Sequence, residues 1–137
     1  MIYADTSALA KLIRRENETD ALRDWLAKSS QEVCTNSIGS IELRRAAGRI
    51  GPDFSAAASR LLNRIRIVSL SAEAVELAGR IPPVELRTLD SLHLASASLL
   101  PDLEALLTYD IRMIEAGRAW GLPLRSPGRH ESSPGVG

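Results

Sequence analysis

Short apolar runs alternate with amphipathic stretches along most of the chain. Ile2-Tyr3-Ala4 is the first run, apolar throughout and too short for a strand with one wet face, so it predicts a buried strand. Ala8, Leu9, Leu12 and Ile13 then recur at helical spacing, with Lys11, Arg14 and Arg15 on the opposite face and Thr6 or Ser7 as the N-cap. A polar break from Asn17 to Asp20 leads into a second helix, whose apolar side is Ala21, Leu22, Trp25 and Leu26. Glu32 to Asn36 reads as a strand. Ser37 caps a helix from Ile38 to about Arg49, closed by Gly51-Pro52. A helix over Phe54 to Asn63 precedes the strand Ile65 to Leu70. Ser71 caps a helix from Ala72 to about Arg80, ended by Pro82-Pro83. Thr88 caps a strongly apolar helix that runs to Leu100 and stops at Pro101. Ala105 to Tyr109 is a strand, Ile111 to Trp120 a helix, and Leu122 to Leu124 a last short strand.

Strand and helix alternate without an internal repeat or linker. The economical fold is α/β, with a mainly parallel sheet of about five short strands between helical layers. The length, 137 residues, suits one domain, expected over residues 1–125. Residues 126–137 are rich in Gly, Pro and Ser and are expected to be a disordered tail. Acidic and basic residues balance at 17 each, which argues against gripping nucleic acid by bulk charge. Local basic surfaces survive that test, because Arg44, Arg45 and Arg49 cluster, as do Arg60, Arg64 and Arg66. Aromatics make up only 4% of the chain, too few for a base-stacking platform. A lone cysteine, Cys34, fits a reducing cytoplasm and reads as a small buried strand residue. No signal peptide precedes the first strand and no apolar run reaches membrane-spanning length, so a soluble cytoplasmic protein is expected.

The candidate chemistry lies in four acids near element ends. Asp5 ends the first strand, Asp110 follows the Ala105–Tyr109 strand, and Asp90 sits in the first turn of the Thr88 helix. Glu42 lies in the helix after the second strand. Two of them interrupt apolar stripes: Asp90 shares a helical row with Leu94 and Ala97, and Glu42 lies between Ile38 and Ala46. Acids on a packed face are costly unless paired or bound to metal. If all four meet at one sheet edge, mutual repulsion raises their pKa values, and a hard divalent cation with oxygen ligands relieves it. Mg²⁺ or Mn²⁺ usually takes only one or two carboxylates directly and keeps waters that the remaining acids can orient; Asp5, Asp90 and Asp110 are the candidate metal residues, with Glu42 acting through water. Thr6, Ser7 and Thr108 place hydroxyls beside the acids, where they can orient them. With two histidines and one cysteine, no zinc-ligand spacing exists. Such a centre suits hydrolysis of a phosphodiester by in-line attack.

Those residues carry a resemblance. Asp5-Thr6-Ser7-Ala8-Leu9, Ser40-Ile41-Glu42-Leu43, Leu86 to Ala95 (LRTLDSLHLA) and Leu107-Thr108-Tyr109-Asp110 resemble the PIN-domain ribonucleases, in particular the VapC toxins of VapBC toxin–antitoxin pairs. Gly121-Leu122-Pro123-Leu124 and Pro127-Gly128 are similar to the usual ending. The likeness covers about Met1 to Gly128. It implies a PIN-like three-layer α/β/α sandwich and a Mg²⁺- or Mn²⁺-dependent endoribonuclease acting on RNA. It also implies a homodimer inhibited by a cognate VapB-type antitoxin, with Asp5, Glu42, Asp90 and Asp110 as the acidic quartet.

Several residues admit two readings. Arg87 can contact an RNA phosphate beside Asp90, or serve a solvent-facing or intrahelical role. His93, one turn after Asp90 in an apolar helix, reads as a hydrogen-bonded packing histidine rather than a general base. Trp25 reads as core or as part of an apolar groove for an antitoxin segment. A phosphotransferase with a strand-end nucleophile wants an acid where Ser7 stands, and a receiver domain wants a late lysine where none exists. A non-catalytic PIN-like module binding RNA or protein is the alternative, and the presence of all four acids favours the enzyme.

Overall fold

A computed structural model describes residues 1–130. The elements run β1 (Ile2–Ala4), α1 (Thr6–Ile13), α2 (Thr19–Ala27), β2 (Val33–Asn36), α3 (Ser37–Ile50), α4 (Pro52–Arg64), β3 (Arg66–Val68), α5 (Ala72–Ala78), α6 (Thr88–Ser98), β4 (Ala105–Leu107), α7 (Ile111–Ala119) and β5 (Leu124–Arg125). The five strands form one sheet in the order β3-β2-β1-β4-β5, and each neighbouring pair is parallel. The chain first winds outward from β1 through β2 to β3, then crosses to β4 on the other side. The order therefore reverses between β1 and β4, and the crevice beyond their carboxyl ends is where open α/β sheets bind ligands.

Alternation along β1 divides the core. Ile2 and Ala4 pack with Leu9, Leu22, Leu43 and Leu62, which come from α1 to α4. Tyr3 points the other way, into Leu94, Leu106, Met113 and Ala74 of α5, α6, α7 and β4. A central strand covered on both faces is apolar at every position, which explains the uniform Ile-Tyr-Ala run. The result is the expected three-layer α/β/α sandwich.

The helix starts differ from expectation by one residue. α1 is capped by Asp5, whose carboxylate accepts from the Ala8 amide, and not by Thr6 or Ser7. Asn36, not Ser37, caps α3 by accepting from the Gly39 amide. α6 begins at Thr88 with Arg87 at the cap position, and no side chain bonds its first amides. Ser71 caps α5 as expected. In each shifted case an extended residue leaves the chain just before the helix, and the acceptor must sit there to reach the amide three residues on. β3 is shorter than the expected Ile65 to Leu70 and largely exposed, as an edge strand can be; Arg66 on it pairs with Glu32 at 2.9 Å.

The expected tail begins with residues that pack. Ser126 Oγ donates to the Thr108 carbonyl, and the Tyr109 hydroxyl donates to the Pro127 carbonyl at 2.7 Å. Gly128 has φ +82°, and a Cβ there would lie 2.7 Å from Ala21 Cβ. Residues 131–137 of that expected tail lie outside the described residues. The Ser126–Gly128 segment thus covers the end of β4, next to Asp110. Tyr109→Phe and Gly128→Ala should each lower unfolding stability by about 1 kcal/mol, since either undoes the local docking but cannot cost more than the docking itself. Denaturant melts of the two variants and their double mutant check this, and the double mutant should cost clearly less than the sum.

Candidate active site

All four acids reach the crevice at the β1/β4 switch point. They line one cleft of about 310 Å³ with Thr6, Ser7, Arg87 and His93. Asp5 is delivered by the end of β1 and Asp110 by the end of β4, the two strands that flank the reversal. Glu42 arrives from α3 and Asp90 from the first turn of α6.

Asp5 is only 3% exposed, and its carboxylate is fixed on every side. Oδ1 accepts from Ser7 Oγ at 2.6 Å and from the Ala8 amide at 3.1 Å, and Oδ2 accepts from Thr108 Oγ1 at 2.5 Å. Burial raises its pKa, partly offset by the nearby His93 ring and by those hydrogen bonds. The same hydroxyls fasten the neighbouring turn: Ser7 Oγ accepts from the Tyr109 amide at 2.9 Å, and Thr108 Oγ1 from the Asp110 amide at 3.2 Å. Asp110 caps α7 with Oδ1, which accepts from the Arg112 and Met113 amides. Its other oxygen is left to face the cleft.

Glu42 and Asp90 are treated oppositely. Burial pushes Glu42 up, but hydrogen bonds from His93 Nε2 and Thr6 Oγ1, both 2.7 Å from Oε1, outweigh it and bring its pKa below the ordinary value. Its Oε2 makes no hydrogen bond among the described residues. Asp90 is raised, first by burial and then by repulsion from Asp110, with Arg87 opposing. Asp90 Oδ2 is buried without a hydrogen bond among the described residues. Arg87 Nε lies 3.4 Å from it, close enough for an ion pair but not aligned to donate.

His93 packs against Tyr3 and is satisfied on both ring nitrogens. The Asn36 amide donates to the Tyr3 hydroxyl at 3.2 Å, Tyr3 donates to His93 Nδ1 at 2.7 Å, and Nε2–H donates to Glu42. This relay fixes the imidazole in one tautomer and, through it, one oxygen of Glu42. Tyr3 holds its proton firmly, because burial raises its pKa. The sequence singled out neither Tyr3 nor Asn36. One signal was present: Gly39 is unfavourable inside a helix, and a Cβ there would lie 2.2 Å from Thr35 Oγ1 and 3.2 Å from His93 Cε1.

The arginine cluster of α3 divides. Arg44 reaches Ser59 on α4 at 3.2 Å, whereas Arg45 and Arg49 line a groove that shares Thr6, Glu42 and Leu89 with the acid cleft. Trp25 is half-buried against the α1–α4 core, and Trp120 donates to Ser98 Oγ at 3.0 Å.

The donor set fits a hard divalent cation by chemistry: carboxylate oxygens, one of them buried and without a hydrogen bond, with hydroxyls fixing the others. Among the described residues, no three His, Cys, Asp or Glu side chains already stand at ligating spacing. Arg87 intervenes, with Nη2 also 3.5 Å from Asp110 Oδ2.

The PIN-domain profile matches residues 2–119. The chain is 41% identical over 133 residues to "Ribonuclease VapC47" of Mycobacterium tuberculosis, covering 93% of this chain and 98% of that protein. It is 40% identical over 134 residues to "Ribonuclease VapC35" of the same species, covering 94% and 98%. Among solved structures it resembles M. tuberculosis VapC20, described as a sarcin-ricin loop cleaving toxin, with TM-score 0.72 and 21% identity over 93% of this chain and 100% of that one. It also resembles a chain of the FitAB complex bound to a DNA fragment, with TM-score 0.75 and 18% identity over 97% and 99%.

Asp90 gives a sign-determined stability prediction. An acid whose folded pKa is raised favours the protonated folded state, so stability falls as pH rises through the window between its ordinary and raised values. At neutral pH in EDTA, Asp90→Asn should therefore raise the melting temperature by about 3 °C, the scale of a change below roughly 1 kcal/mol. The gain should shrink below the ordinary carboxylate pKa. A metal-free thermal melt across pH checks both.

Proposed function

The chain belongs to the PIN-domain family, and on that footing we propose that it is a divalent-metal-dependent endoribonuclease of the VapC type. The observation that carries this reading is the convergence of Asp5, Glu42, Asp90 and Asp110 in one cleft at the switch point of the sheet. Its relatives named as ribonucleases match nearly end to end.

Asp5, Asp90 and Asp110 would hold Mg²⁺ or Mn²⁺, with Glu42 reaching it through water. The cation, when bound, lowers the pKa of a water and stabilises the charge that builds on the phosphate. The protein does the rest by positioning. Asp5 needs no reorganisation, because Ser7, Ala8 and Thr108 have already fixed both oxygens. Glu42, held anionic by His93 and Thr6 through Oε1, keeps Oε2 to align a water for in-line attack. Arg87, two-thirds exposed at the rim, can meet the phosphate. By the same likeness, the partners are an RNA substrate, a VapB-type antitoxin that inhibits cleavage, and a second copy of the chain. Among the described residues, no helix is long and apolar enough to cross a membrane.

Purified, antitoxin-free protein should cut total cellular RNA into discrete fragments with Mg²⁺ or Mn²⁺ and not with EDTA. Asp90→Asn should abolish cutting while remaining folded; Asp5→Ala should abolish it too, at a cost in stability of about 1 kcal/mol from the lost α1 cap. Absence of metal-dependent cutting by folded protein would favour a binding module instead. His93 separates positioning from chemistry. His93→Ala should slow cleavage by roughly 10–100-fold, the scale for losing the partner of a ligand. His93→Gln, which keeps one donor and one acceptor, should recover much of that loss; equal losses in the two variants would make His93 a direct participant.

A further inference from the structure

Arg87 stands where a cation is wanted. It leads directly into α6, and its guanidinium spans two acids from different elements: Nε is 3.4 Å from Asp90 Oδ2, and Nη2 is 3.5 Å from Asp110 Oδ2. Both separations exceed a good charge-assisted hydrogen bond, and the side chain is 66% exposed. The two carboxylates are better enclosed, at 16% and 29%; Asp110 turns the oxygen it does not use in capping toward the guanidinium, and Asp90 turns a buried oxygen that has no hydrogen bond among the described residues. A loose, solvent-exposed monocation therefore screens two carboxylates that repel one another.

We propose that Arg87 is a built-in counter-ion for the Asp90–Asp110 pair, displaced when a divalent ion binds and thereby released to the substrate phosphate. This rests on the metal-site reading above and adds an order of events to it. Three physical points support it. A divalent ion brings twice the charge in a smaller volume, so it outcompetes a guanidinium for two carboxylates. An ion pair this exposed contributes at most about 1 kcal/mol, so little opposes the exchange. The long side chain, tethered at the rim of the cleft, stays within reach of any phosphate drawn to the metal.

Competition predicts opposite effects on metal binding and catalysis, which a simple ligand-positioning or phosphate-binding role does not. The probe is Mn²⁺ alone, added to RNA-free, EDTA-stripped protein and followed by calorimetry. Arg87→Gln and the charge-retaining Arg87→Lys are compared with wild type, and melting curves confirm folding. Arg87→Gln should bind Mn²⁺ about fivefold more tightly, the factor set by losing a competitor worth about 1 kcal/mol. Its melting temperature should fall below wild type in EDTA and converge with it at saturating Mn²⁺. With RNA present, the same variant should cleave more slowly at saturating metal. Arg87→Lys should fall between wild type and Arg87→Gln in Mn²⁺ affinity.

Equal or weaker Mn²⁺ binding by Arg87→Gln would overturn the counter-ion role while leaving the metal site standing. Undiminished cleavage would overturn the release to phosphate. Failure of folded wild type to take up Mn²⁺ at all would bring down the metal reading itself, and this proposal with it.

Discussion

The structure depends on a carboxylate buried at the end of its central strand. Asp5 must leave β1, start α1 and face the cleft at once, and it does so because its two oxygens divide the work. One caps α1 and takes the Ser7 hydroxyl; the other takes Thr108 from the end of β4. A carboxyl removed from water is costly unless donors replace the lost hydration. Here the donors come from the first turn of α1 and from the residue that follows β4, so satisfying Asp5 also ties the end of β1 to the end of β4. Thr108 and Ser7 then pass the constraint on, by accepting from the amides of Asp110 and Tyr109. The second acid of the crevice is thus placed by the hydroxyls that stabilise the first.

The outline of this arrangement was legible because it obeys short-range rules. Strands buried on both faces must be apolar throughout, and the Ile2–Ala4 and Ala105–Leu107 runs are. Acids on apolar rows must be paired or functional, and Glu42 and Asp90 both reach the cleft. The caps were less legible. Asp5-Thr6-Ser7 and Asn36-Ser37 each offer several competent acceptors in a row, and only the point where extended backbone turns helical selects one. That point is set by the strand register, which the local sequence does not encode. The start of the tail misled for a different reason. Gly, Pro and Ser favour disorder by composition, but Ser126 and Pro127 meet the end of β4 and Tyr109, partners that appear only after folding.

The pairings least visible in the sequence are the long-range ones. His93 reads as a packing residue, and it is one, yet what it packs against makes it matter: a tyrosine from the central strand on one side and Glu42 on the other. Tyr3 points away from the core that Ile2 and Ala4 share, so the relay crosses the sheet layer that separates the two cores. Gly39 keeps the space for it, since any Cβ there would collide with Thr35 and crowd the imidazole. Packing and positioning are one requirement at this spot.

Two acids in one cleft with pKa values moved in opposite directions divide the labour between them. Glu42 has donors from Thr6 and His93 on one oxygen, which more than offset its burial, so it is charged before any ligand arrives. Asp90 is buried and repelled by Asp110, and the exposed Arg87 guanidinium is the first of the groups that oppose this, ahead of His93. Removing the positive charge would leave Asp90 buried and repelled by Asp110, whereas Glu42 would keep its own hydrogen bonds. The fold therefore leaves its electrostatic deficit beside Asp90, at the rim, where a cation from solution can reach it. Satisfying Asp90 internally, as Asp5 and Glu42 are satisfied, would stabilise the empty protein and remove the reason for a cation to bind there.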